Sequence, residues 1–250
     1  MSSAESAGPL TADEVIQQML ARSQQGEKGP ETGDYTYTRF TITEELDASG
    51  KVKERKEKAH QVYCRQGVTS EKVLTVNGRP QTEGESRKTS HQEGESRENE
   101  GGSKRRHTDN QENYLTPDIV ERFNFNLVGE QILNGRPSYQ IAFAPKQPPL
   151  PAHHTMDRVL NRLSGTVWVD AEEFEIAKAE FSLGSEVQFL AGVIGCLKKL
   201  SFMMTRTRME GGFWLNTSSV AEFEGRKLFS SIRVKTHSQC SDFHPLRLAG

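Results

Sequence analysis

Gly165 to Lys178, GTVWVDAEEFEIAK, reads as two strands and the turn between them. Thr166, Trp168 and Asp170 alternate with Val167 and Val169, small and acidic residues follow, and Phe174 and Ile176 restart the alternation. A period of two between turn signals is the mark of a half-buried antiparallel pair. Gly211 to Asn216, GGFWLN, repeats the theme nearer the C-terminus. The chain is therefore predicted to be mainly β and built from hairpins.

Downstream of this stretch, Phe174 to Leu183 and Glu186 to Phe189 read as strands, and Leu190 to Leu197, LAGVIGCL, is apolar and broken by Gly192 and Gly195. Two readings compete for it: a core segment with close backbone approach, or an exposed apolar contact for lipid or a partner. Leu200 to Met209, Phe213 to Phe223 and Lys227 to Thr236 then form a meander with Gly211-Gly212 and Gly225 at its turns. Strands this long and this tightly joined predict a strongly twisted sheet.

Upstream, Ala152 to Leu163 reads as an amphipathic helix with Met156, Val159, Leu160 and Leu163 on one face. His153 and Asp157 stand four apart on it, but no third ligand accompanies them, so they read as exposed helix residues rather than a metal site. Before the helix, Phe123, Phe125 and Leu127 alternate with Asn124 and Asn126, Asn134-Gly135 makes a turn, and Tyr139, Ile141 and Phe143 alternate on the way back. Pro145, Pro148, Pro149 and Pro151 end that hairpin. Leu115 to Arg122 offers a helical turn or two, with Thr116 as N-cap and Pro117 first inside.

The N-terminal half opens with a helix at Leu10 to Gln25, where Thr11 and Glu14 have capping-box spacing and Val15, Ile16, Met19 and Leu20 share an apolar face, expected to cover one end or one face of a sheet since strands follow. Asp34 to Leu46 is a strand with Phe40 and Ile42 on one side and Tyr35 and Tyr37 on the other. After a turn at Asp47 to Gly50, Lys51 to Lys58 is charged at nearly every position. Opposite charges such as Glu54 and Lys58 suit a helix, but the turn before it and HQVYCR after it favour a long hairpin in water. Lys72 to Val76 is a short strand and Asn77-Gly78 a turn. From Asn77 to Asn113 there is no aliphatic, aromatic or cysteine residue, and EGESR occurs at Glu83 to Arg87 and again at Glu93 to Arg97. Such a segment buries too little to offset its ordering entropy, so this polar insert is predicted to be a disordered loop or a solvent-exposed charged helix. Its basic cluster, Lys104 to His107, lacks aromatic interleaving and is flanked by glutamates, so no nucleic-acid partner is expected.

At 250 residues, with a net charge of -2, the chain suits one β domain at about 11–240 between tails at 1–10 and 241–250, with no global field for an anionic partner. Cys64, Cys196 and Cys240 allow one disulfide at most and give no metal spacing. No run suffices for a transmembrane segment and none reads as a signal peptide, which leaves a cytoplasmic protein or a mature extracytoplasmic one. Ser, His and acidic residues are plentiful, among them His153, His154 and His237, but no nucleophile elbow, zinc helix or phosphate loop appears. The expectation is a non-enzyme without cofactor.

The order of an N-terminal helix, long strands, a polar excursion, an NG hairpin, a second helix and a meander carrying Trp168-Val169-Asp170, Ile176, Lys178 and the GxWL of Gly212 to Leu215 resembles the LolA/LolB-like periplasmic lipoprotein-carrier superfamily, to which the RseB/MucB sensor domains also belong. That resemblance implies an incomplete β-barrel: a strongly curved antiparallel sheet covered by short helices, enclosing an apolar cavity for acyl chains, outside the cytoplasm. A curved sheet facing helices leaves apolar walls on both layers. The candidate wall residues are Phe40, Ile42, Phe125, Leu127, Tyr139, Ile141, Phe143, Val167, Val169, Phe202, Met204 and Trp214. The expected partner is a lipid, an acyl chain or a lipoprotein anchor; the alternative is an envelope sensor that binds another protein through the charged hairpin and the insert.

Overall fold

Two-residue turns set much of the architecture. Asn77 and Gly78 have φ of 49° and 75°, and Asn134 and Gly135 have φ of 50° and 80°. These left-handed pairs are type I′ turns, whose twist matches that of the strands they join. The computed structural model describes residues 10–25, 34–65, 68–82, 84, 116–189, 195–227 and 230–246. It is mainly β, with antiparallel pairing and a few short helices, and it divides into two compact units.

The first unit comprises Met1–Lys28 and Asn113–Val187. It holds α1 (Ala12–Gln25), α2 (Pro117–Val120) and α3 (Thr155–Leu160) with four long strands. Those strands, β5 (Phe123–Leu133), β6 (Arg136–Pro145), β7 (Leu163–Asp170) and β8 (Ile176–Leu183), lie in the order β8-β7-β6-β5. Thr11 and Glu14 form the predicted capping box: the Thr11 N–H donates to Glu14 Oε2 at 2.7 Å and the Glu14 N–H to Thr11 Oγ1 at 3.3 Å. Thr116 and Pro117 open α2 as expected.

The second unit comprises Gly29–Glu112 and Gln188–Gly250. Its strands β1 (Tyr35–Leu46), β2 (Val52–Arg65), β3 (Val68–Val76), β4 (Arg79–Pro80), β10 (Gly195–Arg208), β11 (Trp214–Lys227) and β12 (Ser230–Pro245) run in the order β4-β3-β2-β1-β12-β11-β10, and β9 (Val187–Phe189) pairs with β10. The charged stretch is strand from Val52 to Lys58, paired with β1 from Leu46↔Val52 to Thr41↔Lys58. Its turn is tied by Asp47 Oδ1, which accepts from the Ser49 and Lys51 N–H groups at 2.8 and 3.0 Å.

Several boundaries differ from the expectation, each for a local reason. The second predicted helix is only Thr155–Leu160; Met156 is 62% exposed, and Leu163 already belongs to β7. Asp157, expected to be an exposed helix residue, is buried: its Oδ2 accepts the N–H groups of His153 and His154 at 2.8 and 2.9 Å, which starts the helix there. Phe174 sits in the turn with φ of 54°, so β8 begins at Ile176. Gly225 is no turn residue but a buried position inside β11, where a Cβ would come within 2.8 Å of the Cys196 carbonyl oxygen of β10. Gly195, Cys196 and Leu197 are buried strand residues, while Leu190 to Ile194 lie outside the described residues, as do most of the insert, including Lys104 to His107. β12 continues past Thr236 to Pro245.

Candidate functional site

The register of the first unit collects seven of the twelve predicted wall residues on one face. Phe125 opposes Phe143, Leu127 opposes Ile141, Ile141 opposes Val167, and Tyr139 opposes Val169. Directly opposed residues in antiparallel strands project to the same side, so these rows make a continuous apolar layer. The helix α1 lies on it. Val15, Ile16 and Met19 are at most 4% exposed and form one cluster with Ala12, Ile141, Val167 and Val169, with Leu10, Val120, Phe125, Leu127, Tyr139, Phe174 and Ile176 packed around them. Each large side chain buried this way contributes about 1.5–3 kcal/mol before entropy costs. The sequence marks the helix stripe without saying which strands it covers.

The layer extends beyond the helix cluster. Phe143 and Phe181 flank Gly165 in one row, and both are half-buried. A Cβ on Gly165 would run into the Glu180 carbonyl oxygen and come within 2.7 Å of Phe181 Cα, so only glycine lets β7 and β8 approach here. Phe143 also meets Phe123 edge to face at 5.2 Å. Ile132, on the same side as Tyr139 through the row Glu130↔Tyr139, is 67% exposed.

One end of the layer is fixed by a pair 34 residues apart that carries no local sequence signal. Arg136 Nε and Nη2 donate to Asp170 Oδ2 and Oδ1 at 2.6 and 2.9 Å, and Asp170 Oδ1 also accepts the N–H groups of Glu172 and Glu173 at 3.1 and 2.8 Å. The Asp170 side chain is fully buried. Burial pulls its carboxyl upward, but the Arg136 hydrogen bonds, the two backbone donors and the Arg136 charge outweigh that and hold it below its ordinary value. The same bonds raise Arg136. Next to Asp170, on the polar side of the sheet, Lys178 Nζ lies 4.4 Å from the centre of the buried Trp168 ring.

In the second unit the remaining wall residues do not come together. Met204 opposes Ser219, which opposes Ser238, which opposes Thr41, and Phe202 leads through Ala221 and Thr236 to Thr43. Phe40 and Ile42 alternate with Thr41 and Thr43 and therefore project to the opposite face. Phe213 and Leu215 pack against the cluster of Tyr35, Val62 and Cys64. Phe202 and Met204 thus share one face and Phe40 and Ile42 the other, while Trp214 lies past the bulge at Thr205/Arg206, opposite Arg208; Phe40 is 39% exposed.

The face that carries Phe202 and Met204 also carries a row of ionisable groups, Arg39, Tyr35, Tyr37, Cys64 and Cys240. Arg39 pairs with Glu71 at 2.5 Å. Burial, reinforced by the neighbouring thiols, drives the Tyr35 and Tyr37 phenols well above their ordinary range, and burial pushes the Cys240 thiol up to about 11. Cys64 opposes Tyr35 on one side of β1, and Cys240 opposes Arg39 on the other. Two strand spacings and four residues separate them by about 16 Å, beyond the 7 Å or so a disulfide can span. All three cysteines are free.

His153 and His154 are exposed at the start of α3, and His237 is exposed on β12 opposite Ile42 and Val220. Among the described residues, no three His, Cys, Asp or Glu side chains converge as metal ligands, and no helix is long and apolar enough to cross a membrane.

No protein-family model matches the chain, and no curated protein matches it. Solved structures do. A LolA superfamily protein from Nitrosomonas europaea is 12% identical, with 96% of each chain covered and a TM-score of 0.35. A DUF1329 family protein from Desulfovibrio piger is 12% identical, with 94% of this chain and 92% of that one covered and a TM-score of 0.33. The MucA/MucB complex of Pseudomonas aeruginosa contributes a chain 10% identical, with 95% and 99% covered and a TM-score of 0.26. These are low-level likenesses to folds of the LolA and MucB kind, and they assign no family.

Proposed function

We propose that this chain is a non-enzymatic protein of the bacterial cell envelope that holds a lipid, an acyl chain or a lipoprotein anchor against the apolar face of β5 to β8. The observation that carries the reading is the mismatch between that face and the helix on it: α1 covers Ile141, Val167 and Val169, while Phe143, Phe181 and Ile132 on the same side stay partly open. An alkyl chain suits such a surface because its binding is non-directional and proportional to area. About 0.8 kcal/mol per buried methylene means that roughly ten covered methylenes are needed to reach 8 kcal/mol before association costs. A long acyl tail meets that requirement and a short one does not.

Binding of a fluorescent long-chain fatty acid tests the reading. The wild-type protein takes up the probe, an unlabelled long chain displaces it, and Phe143→Asn weakens uptake while circular dichroism stays unchanged. Failure of the folded wild-type protein to take up the probe overturns it.

A second reading, an envelope sensor that docks another protein, is favoured by the β1–β2 hairpin. Val52 to Lys56 are all exposed, and the charges there are paired laterally as Lys53–Glu45 at 2.9 Å and Arg55–Glu44 at 3.0 Å. Charge reversal of Lys53 and Arg55 that abolished capture of one defined envelope protein, with fatty-acid uptake intact, would favour it.

A further inference from the structure

β5 is the outer strand of the first unit's sheet, paired with β6 on one side and with no strand on the other among the described residues. Alternate backbone N–H and C=O groups of an edge strand point outward with no ladder partner, which makes such an edge a template for a further strand. Proteins blunt these edges with charges, prolines and bulges. In β5 the devices sit in the second half only: the bulge at Leu127/Gly129 and the charge of Glu130. The first half, Phe123 to Leu127, has the sequence FNFNL, without charge, proline or bulge.

We infer that Phe123 to Leu127 pairs antiparallel with the same segment of a second copy of this chain, about a two-fold axis at Phe125. The pattern is self-complementary in that register. Phe125 meets Phe125, Phe123 meets Leu127 on the apolar side, and Asn124 meets Asn126 on the polar side. Asparagine amides both donate and accept, so each Asn124–Asn126 contact can be satisfied without a charge on either copy. Asn124 and Asn126 are exposed within the protomer, whereas Phe125 and Leu127 are half-buried and Phe123 is 7% exposed. Pairing therefore continues the apolar layer across the axis while using side chains the protomer leaves in water. The bulge after Leu127 ends the ladder and keeps it to one short segment, which sets the assembly at two chains rather than an open series.

The test is the mass in solution of the full chain, measured by light scattering after size separation across a dilution series, with folding checked by circular dichroism. The wild type is expected to be a dimer. N124K/N126K and N124E/N126E each set like charges face to face at both contacts, so each shifts dissociation to concentrations higher on the order of tenfold or more. An equimolar mixture of the two restores the dimer. So does N124K/N126E alone, because position 124 of one copy faces position 126 of the other in the proposed register and both contacts then join opposite charges. A monomeric wild type overturns the inference. So does a dimer indifferent to both like-charge variants, or a folded N124K/N126E chain that stays monomeric.

Discussion

Removing the Asp170 carboxylate is the sharpest perturbation of the first unit. Asp170→Ala breaks two charge-assisted bonds from Arg136 and leaves the N–H groups of Glu172 and Glu173 without their acceptor. Breaking a buried ion pair from one side costs about 3–5 kcal/mol. Arg136 is 24% exposed and keeps a second partner in Glu172 at 2.8 Å, so its charge is not stranded and the loss falls at the lower end, about 3 kcal/mol. The assay is urea unfolding followed by tryptophan fluorescence, in which Trp168 reports the first unit. Glu172→Ala, at a residue 62% exposed, is the control and changes stability by less than about 0.5 kcal/mol. The pH dependence follows from the sign of the shift. The folded carboxyl lies below its unfolded value, so its contribution is complete above about pH 4 and is lost as pH falls through the lower folded value. The midpoint of Asp170→Ala should accordingly approach that of the wild type in acid. A variant within about 0.5 kcal/mol of wild type at neutral pH, or one whose deficit persists undiminished in acid, would show that the Asp170–Arg136 pair does not stabilise the fold in this way.

Gly165→Ala places a methyl group against the Glu180 and Phe181 backbone and should destabilise the protein by about 2–3 kcal/mol in the same assay; an unchanged midpoint would contradict the strand packing. With its thiol raised to about 11, Cys240 should react with a disulfide reagent at a rate that keeps climbing through pH 9 to 11 when measured in C64S/C196S. A plateau below pH 9 would contradict it. The Tyr35 and Tyr37 phenols stay protonated in mild alkali, so the ultraviolet titration of Y35F/Y37F should overlay that of the wild type up to about pH 11.

The local parts of the architecture were legible in the chain. Asn-Gly pairs, the Thr11–Glu14 cap and the period of two between Phe123 and Phe143 are short-range signals, and the structure follows each of them. Strand facing was legible only within a strand. Phe40 and Ile42 share a face, as do Phe202 and Met204, but which face of β1 matches which face of β10 depends on the register through β12 and β11, and no local pattern encodes it. Asp157 and Asp170 show a second limit. Asp157 reads as an exposed helix residue and Asp170 only as a member of an alternating strand, because the partners that compensate their burial lie elsewhere: the His153 and His154 backbone with Arg122 for one, and Arg136 with the turn backbone for the other. The helix stripe of Val15, Ile16 and Met19 was visible, but not the strands it would cover, since sequence alone does not say where a docked helix lands.

Whether the face of β5 to β8 holds an alkyl chain is read most directly by organic extraction of the freshly purified protein followed by mass spectrometry. Phospholipid or fatty-acid signal is expected at a stoichiometry near one per chain, lowered in Phe143→Asn. An extract free of lipid, from folded protein that also fails to take up added fatty acid, would contradict it.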